Sequence, residues 1–441
     1  MRGGQLLAAS LVPTPYLTRG MIMTNVDTKP SNYSTFPSWP ENNHEIPTWI
    51  YSNEQLFDRE MEVFFGGNTW NYVGLECEVP EPNSFKRSWI GTTQVVVTRD
   101  AGNQIHVVEN RCTHRGTPVC WKQRGDASSL VCPYHQWTFG LDGKLLGLPF
   151  IRGAFGKGGM PKDFDKSSHG LRAAKVVVRG GGIWASFGES PPPLEDYFGP
   201  EILSLYDRFL NGRPLKLLGY SRQILPNNWK LYHENLRDLY HAAILHTFLV
   251  TYGLYRADVE HLNDTPENGR HEYGKSIFSK KTRDQVNEAV HEMTLRREGQ
   301  ILNEMSMVEP EIEFDDGLTS NFNVFPSVHI QQHGNIFSMR HIIPKDVRSM
   351  ELAWTQFGYA DDSSELEMAR LKQANLVGPA GYISAEDGEV LALIQTNVER
   401  HPDVLQPLEM GGRDINLPSD NMLNEDLLRS FYRFYRREMG L

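Results

Sequence analysis

Two histidines and an aspartate fall at the spacing Asp238-x2-His241-x4-His246 within residues 227–246, NNWKLYHENLRDLYHAAILH. Two neutral imidazoles joined by one carboxylate form the facial set that holds non-haem Fe(II) and leaves coordination positions open for oxygen. The carboxylate has more than one candidate. Asp238 is local, whereas Asp387 and its neighbour Glu386 lie far downstream in GPAGYISAEDGEV. The surrounding residues are amphipathic and helix-compatible. At 3.6 residues per turn, positions 238 and 241 lie about 60° apart on a helix, but 241 and 246 lie about 140° apart. Asp238 can therefore sit beside His241, while an unbroken helix cannot aim both histidines at one metal. The helix must end, loosen or carry a π-type irregularity here, as helices often do at functional sites. The plainer alternative is a pair of surface or internally satisfied histidines.

A second constellation lies upstream. Cys112-x-His114 and Cys132-x2-His135 sit in the Gly/Pro-containing loops CTHRGTP and CPYHQWTFG. Two Cys and two His can hold a structural zinc. The spacing, with Gln136-Trp137 and the FGLDGKLLG turn that follow, resembles instead a Rieske [2Fe–2S] motif. In that cluster one iron takes two thiolates and the other two imidazoles, which raises the potential above that of all-Cys clusters.

Together the two motifs resemble the large (α) subunit of Rieske non-haem iron aromatic ring-hydroxylating oxygenases. The resemblance runs from about Pro47 to the C-terminus. It is strongest to members acting on aromatic carboxylates, the salicylate hydroxylases and the anthranilate and terephthalate dioxygenases. It is carried by NYVGLECEVP, ENRCTHRGTP, PNNWKLYHENLRDLYH and LKQANLVGPAGYISAEDGEV. It implies that Cys112, His114, Cys132 and His135 bind the cluster, and that His241, His246 and Asp387 bind a mononuclear iron, with Glu386 the competitor to Asp387. Asp238 would then stay unbound beside His241 and reach the cluster histidine His135 of a neighbouring subunit, in an α3 or α3β3 ring that includes a small β subunit. Electrons would come from NAD(P)H through a separate reductase or ferredoxin. The product would be a mono- or cis-dihydroxylated benzoate-class acid such as salicylate or anthranilate. The alternative is a Rieske monooxygenase or demethylase acting on another aromatic compound. The resemblance also sets Arg340, in IFSMRHIIP, against the substrate carboxylate, which a guanidinium binds bidentately. An ion pair at a strand end is the plainer reading of Arg340. Met422 stands where terephthalate-type members carry a second Arg, with Arg413 nearby. The pocket is otherwise expected to be mostly apolar.

A net charge of −11, from 44 Lys+Arg against 55 Asp+Glu, repels phosphate backbones and argues against a nucleic-acid partner. No apolar run approaches the length of about 18 residues needed to span a membrane. The four cysteines, Cys77, Cys112, Cys120 and Cys132, make no disulfide framework. Thr117 and Tyr134 occupy the places where Rieske proteins of respiratory complexes carry a bridged cysteine pair. This favours the oxygenase type in a reducing cytoplasm. Cys77 and Cys120 read as small buried hydrophobes.

The elements that must position these residues divide a chain of 441 residues into more than one domain. Residues 1–45 read as a polar tail without a signal peptide, with Met21 and Met23 as alternative starts. Residues 46–68 form a helical segment packing on the catalytic domain, with Ser52 and Gln55 as a capping box opening a helix through about Phe65. Residues 69–188 are β-rich with regular turns, an antiparallel Rieske domain, and FIRGAFGKGGMPKDF is a Gly-rich surface loop within it. Ser190 to Pro193 make a stiff linker. Residues 189–441 form the catalytic domain, with strands at SNFNVFPSVHIQQ, IFSMRHIIP and ELAWTQFGY. A long helix begins at Ser363 and a final one runs from Glu425 to Met439, with Arg429, Arg433, Arg436 and Arg437 on or near its outer face. Residues 255–300 are charged and without an obvious strand, a cover or a solvated insertion. The fold class is α+β, and the resemblance makes the catalytic part a helix-grip, an antiparallel sheet with helices on it.

Overall fold

The computed structural model describes residues 36–246, 261–266, 269–277, 313–314 and 318–441. The tail 1–35 and most of the charged stretch 255–300 lie outside them.

The β-rich part holds three antiparallel sheets. One has the strand order Ile105–Glu109, Thr93–Arg99, Ser84–Ile90, Arg124–Asp126. The second joins Leu130–Val131, Thr138–Phe139 and Leu145–Gly147, and the third Lys175–Arg179, Gly182–Ser186 and Asn71–Leu75. Val96, Val108, Leu130, Phe139 and Leu145 pack with Cys112, Cys120 and Cys132 into one core. The thiols are thus rooted in hydrophobic packing. The Gly-rich loop lies on the surface as expected, with Phe150 and Phe155 exposed.

Seven antiparallel strands make a further sheet, in the order Leu215–Leu225, Ser349–Tyr359, Ile336–Asp346, Val328–His333, Leu318–Val324, Glu272–Ile277, His261–Asp264. The last two fall inside the stretch read as strandless. Their polar sequences, HLND and EYGKSI, hide the alternation that normally marks a strand.

Alternation gives this sheet two different faces. Phe322, Val328, Ile330, Phe337, Met339 and Phe357 turn one way. They pack against the helix Leu194–Phe209 and against Tyr72 and Trp184 of the β-rich part. On the opposite face His329, Gln331, Ser338, Arg340 and Trp354 are buried as well. That face lies under two helices. Trp354 donates from Nε1 to Gln223 Oε1 at 3.2 Å, and Ser384 donates to the same oxygen at 2.7 Å from the helix Tyr382–Arg400.

Several sequence expectations need correction. The first helix, Glu54–Glu60, is capped by Asn53, not Ser52. A one-turn helix, Thr48–Tyr51, ends on Ser52, and Asn53 is left extended to accept from Leu56 N. The segment runs on as a π-helical turn, Met61–Phe65. Residues 37–45, read as tail, are packed. Trp39 lies against Trp49 and Tyr432, and Glu45–Pro47 pairs with Leu405–Pro407. The long helix after Ser363 is two helices, Ser364–Val377 and Tyr382–Arg400. They break at Gly381, where a Cβ would come within 2.0 Å of the Leu376 carbonyl oxygen. In the last helix, Asp426–Met439, Arg429 is fully buried, paired with Asp426 and donating to the Leu408, Met410 and Asp414 carbonyls. It ties down the preceding loop rather than facing water. Among the described residues no helix is long and apolar enough to cross a membrane.

Two candidate metal centres

The helix carrying the histidine motif, Trp229–Arg237, opens on Asn228, whose side chain accepts from Lys230 N. It is pinned from beneath. Lys230 is fully buried against Glu60 at 2.7 Å, and Trp229 Nε1 donates to the same carboxylate. The helix stops where the wheel requires it. Asp238 is extended (φ −87, ψ 91), and after a turn a one-turn helix, Ala242–Leu245, stands between His241 and His246. The irregularity is a helix end, not a π turn.

That break brings the two rings together. His241 Nε2 and His246 Nε2 each lie 3.4 Å from Asp387 Oδ1, the carboxylate arriving from the helix Tyr382–Arg400. The three donor atoms lie within 4.8 Å of one another. Bonds of about 2.1 Å at roughly tetrahedral or right angles set donors about 3.0–3.4 Å apart, so the residues fit one metal ion. Two imidazoles and a carboxylate suit non-haem Fe(II). Burial disfavours charge on His241, yet the carboxylates of Asp238 and Asp387 outweigh it and push the ring up to about 10. The site carries a surplus of negative charge that a cation satisfies.

Each imidazole has a carboxylate near its far nitrogen. Glu386 Oε2 meets His246 Nδ1 at 2.8 Å, and Asp238 Oδ2 lies 3.6 Å from His241 Nδ1. Glu386, the competing ligand in the sequence reading, thus takes the orienting position, which fixes tautomer and ring angle. Asn235 donates to Asp387 Oδ1 at 3.1 Å and was not singled out from sequence. Its place three residues before Asp238 on the motif helix was the available signal.

Arg340 stands in mid-strand, not at a strand end, and is buried. It donates to Gln331 and lies over Trp354 at 4.3 Å, and among the described residues no carboxylate pairs with it. Tyr232, on the motif helix, links it to the metal site. Burial raises the phenol's pKa, the Arg340 charge opposes that, and the Asp387 charge adds to it. The Arg340 and Asp387 charges thus both act on Tyr232. Met422 is buried, while Arg413 is exposed and paired with Glu409, so Arg413 adds no second buried cation. The face bearing Arg340 is also more polar than the mostly apolar pocket expected.

The cluster loops close on themselves in the same way. Gly116 N donates to Cys112 O and Gln136 N to Cys132 O, with Gly116 and Gln136 both left-handed (φ 75 and 56). The thiols point inward and are buried, while His114 and His135 are partly exposed. The Nδ1 atoms of the two rings lie 3.1 Å apart, and His114 stacks on Trp137 at 4.9 Å. Burial and the neighbouring Cys132 raise the Cys112 thiol. Among the described residues, convergence of three or more donors on one point occurs at His241, His246 and Asp387 and not in these loops. A single zinc is therefore a poor fit. An inner thiol pair and an outer imidazole pair suit two irons, one held by sulfur and one by nitrogen.

Fold and donor sets define a protein with two iron centres, a Rieske cluster and a facial mononuclear site. Comparison with known proteins gives the same result. A Rieske [2Fe-2S] domain matches residues 69–155, and the catalytic domain of the ring hydroxylating alpha subunit matches residues 213–441. The large oxygenase component of salicylate 5-hydroxylase from Ralstonia sp. is 43% identical over 92% of this chain and 96% of its own length. The anthranilate 1,2-dioxygenase large subunit of Burkholderia cepacia is 41% identical (90% and 93%), and a terephthalate 1,2-dioxygenase alpha subunit of Comamonas sp. 39% (90% and 96%). A solved naphthalene 1,2-dioxygenase from Rhodococcus sp., bound to indole, shares the fold with a TM-score of 0.72 at 23% identity, covering 90% of this chain and 94% of that one. The chain belongs to the family of Rieske ring-hydroxylating oxygenase alpha subunits. It is an oxidoreductase that uses a [2Fe-2S] cluster, a mononuclear iron and electrons from a separate reductase or ferredoxin.

Proposed function

We infer that this α subunit hydroxylates a single-ring aromatic acid with one carboxylate, of the salicylate or anthranilate type, by mono- or cis-dihydroxylation. The observation that carries this reading is Arg340, a buried guanidinium with no carboxylate partner among the described residues, whose charge acts on the same Tyr232 phenol as that of Asp387. The relatives named for salicylate and anthranilate support it. A second anionic group on the substrate would find no second buried cation at Met422 or Arg413.

In this reading Cys112, His114, Cys132 and His135 hold the cluster, and His241, His246 and Asp387 hold the iron. The metals supply reductive oxygen activation, and the chain supplies position and surroundings. Arg340 fixes the acid by its carboxylate and leaves the ring free to turn towards the histidines. Glu386 and Asn235 hold His246 and Asp387 in place. In this reading Asp238 joins His241 to a cluster histidine of a neighbouring subunit, in an α3 assembly or, with a small β subunit, an α3β3 one, working in the cytoplasm. The test is a screen of substituted benzoates with reductase and product identification. Turnover led by salicylate or anthranilate supports the reading, whereas preference for naphthalene, biphenyl or terephthalate overturns it.

A further inference from the structure

The buried polar face of the seven-stranded sheet holds more than the anchor. His329 is directly opposite Arg340 in the antiparallel pair Val328–His333 with Ile336–Asp346. Residues so opposed have Cα atoms about 4.5–5.5 Å apart and side chains on one face. His329 is 4% exposed, and its Nδ1 has no hydrogen-bond partner. On the guanidinium, Nε of Arg340 is likewise without one, although its terminal nitrogen donates to Gln331. Buried polar atoms in native proteins are nearly always paired, so two orphans side by side mark where a ligand belongs. Burial, then Arg340 and His233 of the motif helix, hold the His329 ring well below its usual range, so it is neutral. A neutral imidazole presents one donor and one acceptor, and can meet either a hydroxyl or an amino group.

We propose that His329 is a specificity-determining residue that reads the substituent ortho to the carboxylate held by Arg340. The geometry of the substrate selects it. An ortho oxygen or nitrogen lies about 2.6 Å from the carboxylate oxygen it bonds internally, so it enters the space immediately beside the anchor. A para substituent points to the far side of the ring. Ser338, also buried with an orphaned hydroxyl, lies two residues along the strand from Arg340 and opposite Gln331, whereas His329 is directly opposite Arg340. The proposal rests on the benzoate-class reading and adds to it the group that tells salicylate or anthranilate from plain benzoate.

The test is equilibrium binding of 2-hydroxybenzoate, 2-aminobenzoate, benzoate and 4-hydroxybenzoate to the wild-type holoenzyme and to its His329→Leu, His329→Gln and Arg340→Met variants. Cluster absorbance and iron content establish that each is folded and loaded. Wild type is expected to prefer the ortho-substituted acids by about tenfold, the size of one well-made neutral hydrogen bond. His329→Leu should erase that ratio while benzoate affinity stays within about threefold. His329→Gln, which keeps a donor and an acceptor, should restore part of it. Arg340→Met should weaken all four acids together. An unchanged ratio in His329→Leu overturns the proposal, as does an equal loss of all four acids in that variant. Wild type that binds none of the four acids defeats the substrate class itself, and that failure shows before any variant is made.

Discussion

His114 and His135 sit in two short loops that fix themselves, whereas His241 and His246 depend on parts of the chain far apart in sequence. Each cluster loop closes through its own backbone, from Gly116 to Cys112 and from Gln136 to Cys132, and is rooted by a buried thiol. The iron site needs the end of one helix, a carboxylate from another and, beneath both, Glu60 from the N-terminal helix. The cluster histidines are partly open to a partner, while His246 and Asp387 are buried. An electron-transfer centre can be a local motif at a surface. An oxygen-activating centre has to be enclosed, and enclosure takes the whole domain.

The contrast can be broken at either end. Asp387→Ala should abolish turnover and reduce iron from about three to about two per chain, leaving cluster absorbance intact. Loss of the cluster in that variant would mean the two centres are not independent. His114→Cys should keep cluster iron but lower the potential by several hundred millivolts towards all-thiolate values, and an unmoved redox titration would remove the imidazole assignment. Lys230→Met should leave the Glu60 carboxylate buried without a balancing cation, with only Trp229 and Tyr435 donating to it, and cost about 3–5 kcal/mol. Thermal unfolding would show it, with the cluster potential unmoved. Asp238→Asn should retain both centres and lower turnover about 100-fold, whereas normal single-turnover oxidation of the reduced cluster would contradict its bridging role. Glu386→Gln should weaken iron binding by about tenfold without touching the cluster, read by chelator competition.

What the sequence disclosed follows the same division. The candidate cluster residues could be singled out because their neighbours in sequence are also their neighbours in space. At the iron site the helix wheel alone required the break that Asp238 makes. The choice between Asp387 and Glu386 was not a property of local pattern, since only packing aims one at the metal and the other at His246 Nδ1. The strands His261–Asp264 and Glu272–Ile277 escaped because the sheet buries a polar face, so hydrophobic alternation is absent where it would be sought. Arg429 looked solvated because charge pattern says nothing of the carbonyls that a fold can bring to a guanidinium.

The packing of residues 37–65 against the end of the chain bears on synthesis. Trp39 and Tyr51 rest on Tyr432, and Glu60 accepts from Tyr435, so the segment has partners in a helix that follows it by 375 residues, counted from Glu60 to Tyr435. At roughly 5–20 residues per second, those aromatic residues wait tens of seconds for the partners in that helix, while the β-rich part between can already fold. A product cut short by a few turns would keep an apparently complete cluster domain and present an uncovered apolar segment at its start. Such a chain is a natural target for chaperones and proteases.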